Sequence, residues 1–289
     1  MSHRVTGFAL WAAALALPAA SGCRSDAEPL RPALAPPVLG GQMFSPVGRG
    51  AKFQRRGAYV LLVRLRLITV QLPIGSVSES EDLWSFLNEE PTGARIGAAL
   101  TLNGLRVGVG VESAWPDIAK ILRRLTGRTA VRSHMLTHPG ATVPFVVKRK
   151  QPLQTIFTFR PDRTLVGDDY PPGDNIIAIT PTVNFDDPTA VVLTGVPLVR
   201  STYRQPKYIH ANGAYRLESA PEYRQLPDME FRIRVPSGGF LLIGPGPDIR
   251  RRTSPGHNFL ARSAQGAITE TVLVVAPEVF AAPVVPSQR

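Results

Sequence analysis

From residue 142 onward the helical patterns of this sequence give way to short apolar runs that alternate with polar residues and are cut by proline and glycine. The runs cover 142–148, 153–160, 175–181, 190–199, 230–235, 240–243 and 269–276. A period of two sends successive side chains to opposite faces, which is the requirement of a strand with one buried face. Turn material such as Asp168-Asp169-Tyr170-Pro171-Pro172-Gly173-Asp174 separates the runs. With 28 prolines and 25 glycines and no collagen-like period, an all-helical bundle is excluded. Residues 140–280 are therefore expected to form a mainly antiparallel, β-rich domain, a sandwich or an open sheet. Residues 281–289 read as a loose tail.

A smaller α/β module precedes it over 57–135, making the fold class α+β. Its first strand, 59–72, alternates Val63, Leu65 and Leu67 with Arg64 and Arg66, and the apolar phase then slips to Ile68, Val70 and Leu72. A bulge or bend accounts for such a slip. Ser80, Glu81 and Asp82 open a short helix carrying Leu83, Trp84 and Leu87. Pro91 interrupts it, and a second helix over 94–102 stops at Asn103-Gly104. A strand follows from Leu105, with Gly108 and Gly110 on the face where another element packs closely. A helix then begins at Ser113, with Pro116 in its first turn, Ile118, Ile121, Leu122 and Leu125 inward, and Gly127 as its stop.

The N-terminus sets location. Ser2-His3-Arg4 is a short positive region, residues 5–20 are apolar but broken by Pro18, and the segment closes with Ala20-Ser21-Gly22-Cys23. The run is too short for a permanent span and has the architecture of a cleaved signal peptide, 1–22. Residues 23–56 are rich in Pro, Gly, Ala and Ser without periodicity, and read as a tether reaching roughly 3 Å per residue. The formal charge is +11, and the segment before Cys23 contributes only Arg4 to it, so the basicity belongs to the mature chain. Such a balance suits an anionic partner, and Arg64, Arg66, Arg250, Arg251 and Arg252 are the candidate contacts.

Few residues point to chemistry. One cysteine permits no internal disulfide and no cysteine-rich zinc site. His134 and His138 have ligand spacing, but Met135 stands where a metalloprotease has its glutamate, and Pro139-Gly140 argues for a loop. Asp168, Asp169 and Asp174 lack the spacing of a calcium loop. Ser237 lacks the frame of a nucleophile elbow. Gly108-Val109-Gly110 lacks the third glycine of a dinucleotide loop. Trp84 and Trp115 are expected in packing roles. No metal, no cofactor and no nucleic acid are expected, and no catalytic residue is assigned.

Ala20-Ser21-Gly22-Cys23 resembles the bacterial lipobox, which implies cleavage between Gly22 and Cys23 and a lipid, palmitate among its acyl chains, on Cys23. The alternative is an ordinary secretory signal with a chance cysteine. Arg24 after the cysteine, where an aspartate would favour inner-membrane retention, implies the periplasmic face of the outer membrane. In the last third, Ile179-Thr-Pro-Thr-Val183, Phe231-Arg-Ile-Arg-Val-Pro-Ser-Gly-Gly-Phe240, Pro255-Gly-His-Asn-Phe259 and Glu270-Thr-Val-Leu-Val-Val-Ala-Pro277 are similar to the C-terminal domain of secretins. Asn103 to Gly108, after Leu83-Trp84, resembles lipoproteins of planctomycete-type bacteria. These resemblances imply a structural or protein-binding envelope protein, accessory to or related to a secretin-type secretion or pilus system, whose partner is an envelope protein or a second copy. No long amphipathic strands of a pore-forming ring are expected. The alternatives are a module binding an anionic envelope polymer and an enzyme with an unrecognised site.

Overall fold

The computed structural model of the chain describes residues 59–126, 130–184, 187–211, 214–264 and 266–283. The chain is α+β, a small segment of helices and strands followed by a β-rich one, and every strand ladder among the described residues is antiparallel. The elements β1 (Tyr59–Pro73), α1 (Ala94–Leu102), β2 (Leu105–Gly110), α2 (Trp115–Thr126) and β3 (Val131–Thr137) come first. They are followed by β4 (Val143–Gln151), β5 (Gln154–Phe159), β6 (Leu165–Tyr170), β7 (Gly173–Asn184), β8 (Asp187–Ala211) and β9 (Ala214–Gln225). The series ends with β10 (Phe231–Pro236), β11 (Phe240–Pro245), α3 (Pro255–Leu260), β12 (Ala261–Ala264) and β13 (Ala267–Pro283).

Sheet A has the order β2-β11-β13-β1-β3, with β12 also paired to β13, so the first and last strands of the chain lie side by side. Sheet B has the order β10-β8-β7-β4, with β9 also paired to β8, and β5-β6 is a separate hairpin. One face of sheet A packs against sheet B through Val63, Leu65 and Leu67 of β1, Leu105 and Val107 of β2, Ile177 and Ile179 of β7, and Phe231 and Ile233 of β10. The other face is covered by Trp84 and by Ile118 and Leu122 of α2, which meet Ile68, Val70 and Leu72 of β1. No helix among the described residues is long and apolar enough to cross a membrane.

The phase slip in β1 has a different cause from the bulge expected. Pairing with β13 runs without interruption from Tyr59↔Pro283 to Pro73↔Thr269. The two halves of the strand bury opposite faces: Val63, Leu65 and Leu67 turn to sheet B, whereas Ile68, Val70 and Leu72 turn to α2 and Trp84, with Gln71 exposed between them. The covered face changes at Leu67-Ile68 while the ladder runs straight through.

α1 occupies the expected residues, and Gly104 ends it at φ +76. A Cβ on Gly104 would lie 3.0 Å from the Ile249 nitrogen, so both conformation and space favour glycine. Asn103 fixes this stop: its amide donates to the Phe159 carbonyl oxygen at 2.7 Å, and its side-chain oxygen accepts from the Phe159 N–H at 2.7 Å. The helix expected from Ser80 shrinks to a 3-10 turn, Trp84–Phe86, because Trp84 and Leu83 turn inward to close the sheet A face. α2 starts at Trp115, and Gly127 lies outside the described residues. The close packing expected at the β2 glycines is present. A Cβ on Gly110 would sit 2.1 Å from the Phe240 ring of its cross-strand neighbour, and Gly195 faces the Phe231 ring in the same way.

β3 runs across residue 135, the expected end of the smaller module, and 281–283, expected in a tail, continue β13. Asp168, Asp169 and Tyr170, expected as turn, belong to β6. β9 and α3 have no counterpart in the sequence expectations.

Candidate functional site: an exposed amphipathic ribbon

The region left without cover is the distal part of β8 with β9. β8 begins in sheet B, between β7 and β10, but beyond Ser201 its only partner among the described strands is β9. The register shifts between Arg200↔Tyr223 and Arg204↔Pro221, then continues unbroken to Ala211↔Ala214. At about 3.4 Å per residue this ribbon extends roughly 25 Å from the irregularity. Residues 202–210 and 214–219 are all exposed.

Its two faces differ. Directly opposed residues share a face, so Tyr208 with Leu217, His210 with Tyr215, and Pro206 with Ser219 line one side. Tyr208 and Tyr215 are each 77% exposed and Leu217 is 60% exposed. The His210 and Tyr215 rings lie 5.0 Å apart. The opposite face carries Gln205, Lys207 against Glu218, and Ile209 against Arg216. A two-stranded hairpin is marginal alone, and here its exposed aromatics are aligned on one face. Pro206 and Pro221 fit a ribbon because part of its backbone needs no sheet partner. This long amphipathic element was not anticipated; the signal available was Asn212-Gly213, a favoured hairpin pair, between two runs of alternating character.

The sequence-predicted arginines do not form one free cluster. Arg64 and Arg66 both reach Glu278, at 3.4 and 2.7 Å. Arg250 pairs with Glu79 at 2.6 Å. Arg251 donates to the Phe157 and Leu102 carbonyl oxygens and lies over the Phe159 ring. Arg252 is exposed. Gly22 and Cys23 lie outside the described residues.

His134 and His138 are exposed, the first on β3 opposite Arg66. No group of three His, Cys, Asp or Glu that could hold a metal occurs among the described residues. Asp169 accepts from the Thr155 hydroxyl at 2.7 Å, and Asp168 stands opposite Ile156 in the β5-β6 hairpin. Asp174 is bonded to Arg200 at 2.6 Å and to the Lys150 N–H. Burial alone would raise its pKa, but these two bonds hold the carboxyl below the ordinary aspartate range. Trp84 donates to the Val77 carbonyl oxygen and carries the Arg106 guanidinium 4.4 Å over its ring, while Trp115 meets Phe240 edge-on. Both tryptophans are buried in packing roles. A cleft of about 470 Å³ runs beside α1, lined by Glu89, Glu90, Thr92, Gly97, Thr101 and Arg106. Arg106 bridges Glu81 and Glu89 at its rim. Its bond to Glu81 lowers that carboxyl's pKa.

No family model matches the sequence, and no curated protein does. Among solved structures, the chain is similar to the secretin domain β-barrel of InvG from the Salmonella SPI-1 injectisome, at 11% identity over 79% of this chain and 64% of that one, with TM-score 0.20. It is similar to Aeromonas hydrophila ExeD at 15% identity, over 78% and 49% of the two chains, with TM-score 0.19. A further neighbour belongs to the Klebsiella pneumoniae type II secretion system outer membrane complex, at 13% identity over 81% and 41%, with TM-score 0.18. The chain spans less than two thirds of each of these. Such TM-scores lie far below those of a shared overall fold, so the functional reading rests on the chain's own geometry.

Proposed function

We propose that this chain is a lipid-anchored, non-enzymatic protein of the bacterial envelope whose β8-β9 ribbon binds protein, with copies of the same chain as its first partner. The observation that carries this reading is the row of Tyr208, Leu217 and Tyr215 on one face of a ribbon whose two faces are both in solvent. Covering that row removes large aromatic surface from water, at about 25 cal/mol per Å². The outer edge of β9 offers backbone donors and acceptors for strand addition, so a like ribbon can satisfy edge and face together. The lipobox-like Ala20-Ser21-Gly22-Cys23 supports the anchor, and the secretin-like segments of the last third support a role beside a secretion or pilus assembly.

Crosslinking in intact cells followed by mass spectrometry tests the contact: ribbon peptides joined to protein are expected, whereas recovery of lipid adducts alone counts against it. The anchor is tested by Cys23→Ala, which should lose its acyl label and leave the membrane fraction; retention of both overturns that part.

A further inference from the structure

A second site follows from charge rather than from apolar surface. Lys148 stands on β4, at the edge of sheet B, and is 8% exposed. Its ammonium donates to the His257 carbonyl oxygen at 2.8 Å, using one of three N–H donors. Arg262, exposed on β12, reaches the carbonyl oxygen of Val147, the residue before Lys148, and so spans from one sheet to the edge of the other. Its charge bears directly on Lys148. On α3, His257 is held through Nδ1 by the Ile249 carbonyl oxygen at 2.8 Å, and burial first, with the Lys148 and Arg252 charges after it, lowers its pKa.

Among the described residues no carboxylate pairs with Lys148 or Arg262. Asp174, one residue before the Asn175 that pairs with Lys148, is turned to Arg200 and the Lys150 N–H. Glu270, opposite Ala261 in the neighbouring ladder, is taken up by the N–H groups of Gly75, Val77 and Ser78. An ammonium taken out of water without a counter-ion is unfavourable, and an anion that accepts its spare donors relieves that cost. Arg262 is itself exposed and keeps further N–H donors besides the one given to the Val147 carbonyl oxygen. Several oxygens on one centre can accept from lysine and arginine at once, the geometry in which such pairs bind phosphate.

We propose that Lys148 and Arg262 form a binding site for a phosphate-class oxyanion, either a free ion or the phosphate of a lipid headgroup. The proposal does not depend on self-association through the ribbon. The full chain in detergent is unfolded thermally at pH 7 in inorganic phosphate or in chloride of equal ionic strength. Phosphate at tenfold its dissociation constant should raise Tm by about 3 °C over chloride. Arg262→Gln and Lys148→Met should each abolish that rise; if the second variant does not fold, the first decides. Glycerol phosphate separates the sources: a rise with it as well as with phosphate assigns the headgroup, and a rise with phosphate alone assigns the free ion. No rise over chloride, or an equal rise in wild type and both variants, means an adventitious ion only and overturns the proposal.

Discussion

Replacing Glu270 by glutamine removes one charge and almost no volume, yet it should destabilise the fold about as much as a core truncation. Glu270 on β13 is fully buried, and its two oxygens divide the work of holding residues 75–78. Oε1 accepts from the Val77 and Ser78 N–H groups at 2.5 and 3.2 Å. Oε2 accepts from the Gly75 N–H and the Ser78 hydroxyl at 3.1 and 2.7 Å. The amide keeps its oxygen toward the Val77 and Ser78 N–H groups and turns its NH2 to the other pair, where the Ser78 hydroxyl can rotate to accept but the Gly75 N–H faces a donor; the bonds that remain are no longer to a charged group. Bonds to a charged group contribute about 1.5–3 kcal/mol each, and relief from burying the charge offsets part of the loss. The expected cost is about 3 kcal/mol, a large share of the roughly 5–15 kcal/mol typical of a folded domain. For a domain of this size that corresponds to a fall in Tm of about 6–12 °C. Ser78→Ala, which removes a single bond, should cost about 1 kcal/mol. Urea unfolding of the three proteins measures both. A Gln variant within 0.5 kcal/mol of wild type would refute the reasoning that this carboxylate organises the turn after β1.

Three further outcomes follow from other parts of the fold. Burial first, and the Arg262 charge second, lower the Lys148 pKa to about 8. The unfolded chain therefore binds this proton more tightly, and stability should rise between pH 8 and about 10.5. In phosphate-free buffer Lys148→Met should be the more stable protein at pH 7 and lose that advantage by pH 11; a constant difference across the range contradicts the assignment. Gly110→Val forces a side chain into the Phe240 ring and should cost at least about 2 kcal/mol by chemical denaturation, whereas Gly97→Ala on α1, whose Cβ would meet only the Thr92 hydroxyl at 3.0 Å, should cost less than half of that. The double variant Tyr208→Ser, Tyr215→Ser should keep its unfolding midpoint and lose sedimentation as an oligomer, since both rings lie in solvent in the single chain.

Most strands of sheets A and B were legible because alternation follows directly from burying one face, as at Phe231, Ile233 and Val235 of β10, each essentially buried while Arg232 and Arg234 face outward. α1 was legible because Asn103-Gly104 marks its end. The order in the sheets was not: β1 and β13 meet across the whole chain, and nothing local in either strand encodes that partner. The ribbon escaped because its apolar residues are tyrosines interspersed with Pro206 and Pro221, which read as turn material when burial is the expected purpose of a strand. Lys148 escaped for the converse reason, since a lysine beside Arg149 and Lys150 reads as a solvated face, and only the packing of α3 and β12 buries it. The arginines singled out for an anionic partner were visible, but the carboxylates that occupy them, Glu278 and Glu79, lie far away in sequence from Arg64 and Arg250.

The ribbon contact is tested most directly by introduced cysteines, which the sequence makes clean because Cys23 is its only native one. In cells expressing the full chain, Tyr208→Cys and Leu217→Cys should each give a disulfide-linked species at twice the chain mass under mild oxidant. Lys120→Cys, exposed on α2 away from the ribbon, should stay monomeric. A crosslink to a different envelope protein would keep the ribbon as the contact and replace its partner. Silence at both ribbon positions, or equal crosslinking from Lys120→Cys, would contradict the central claim.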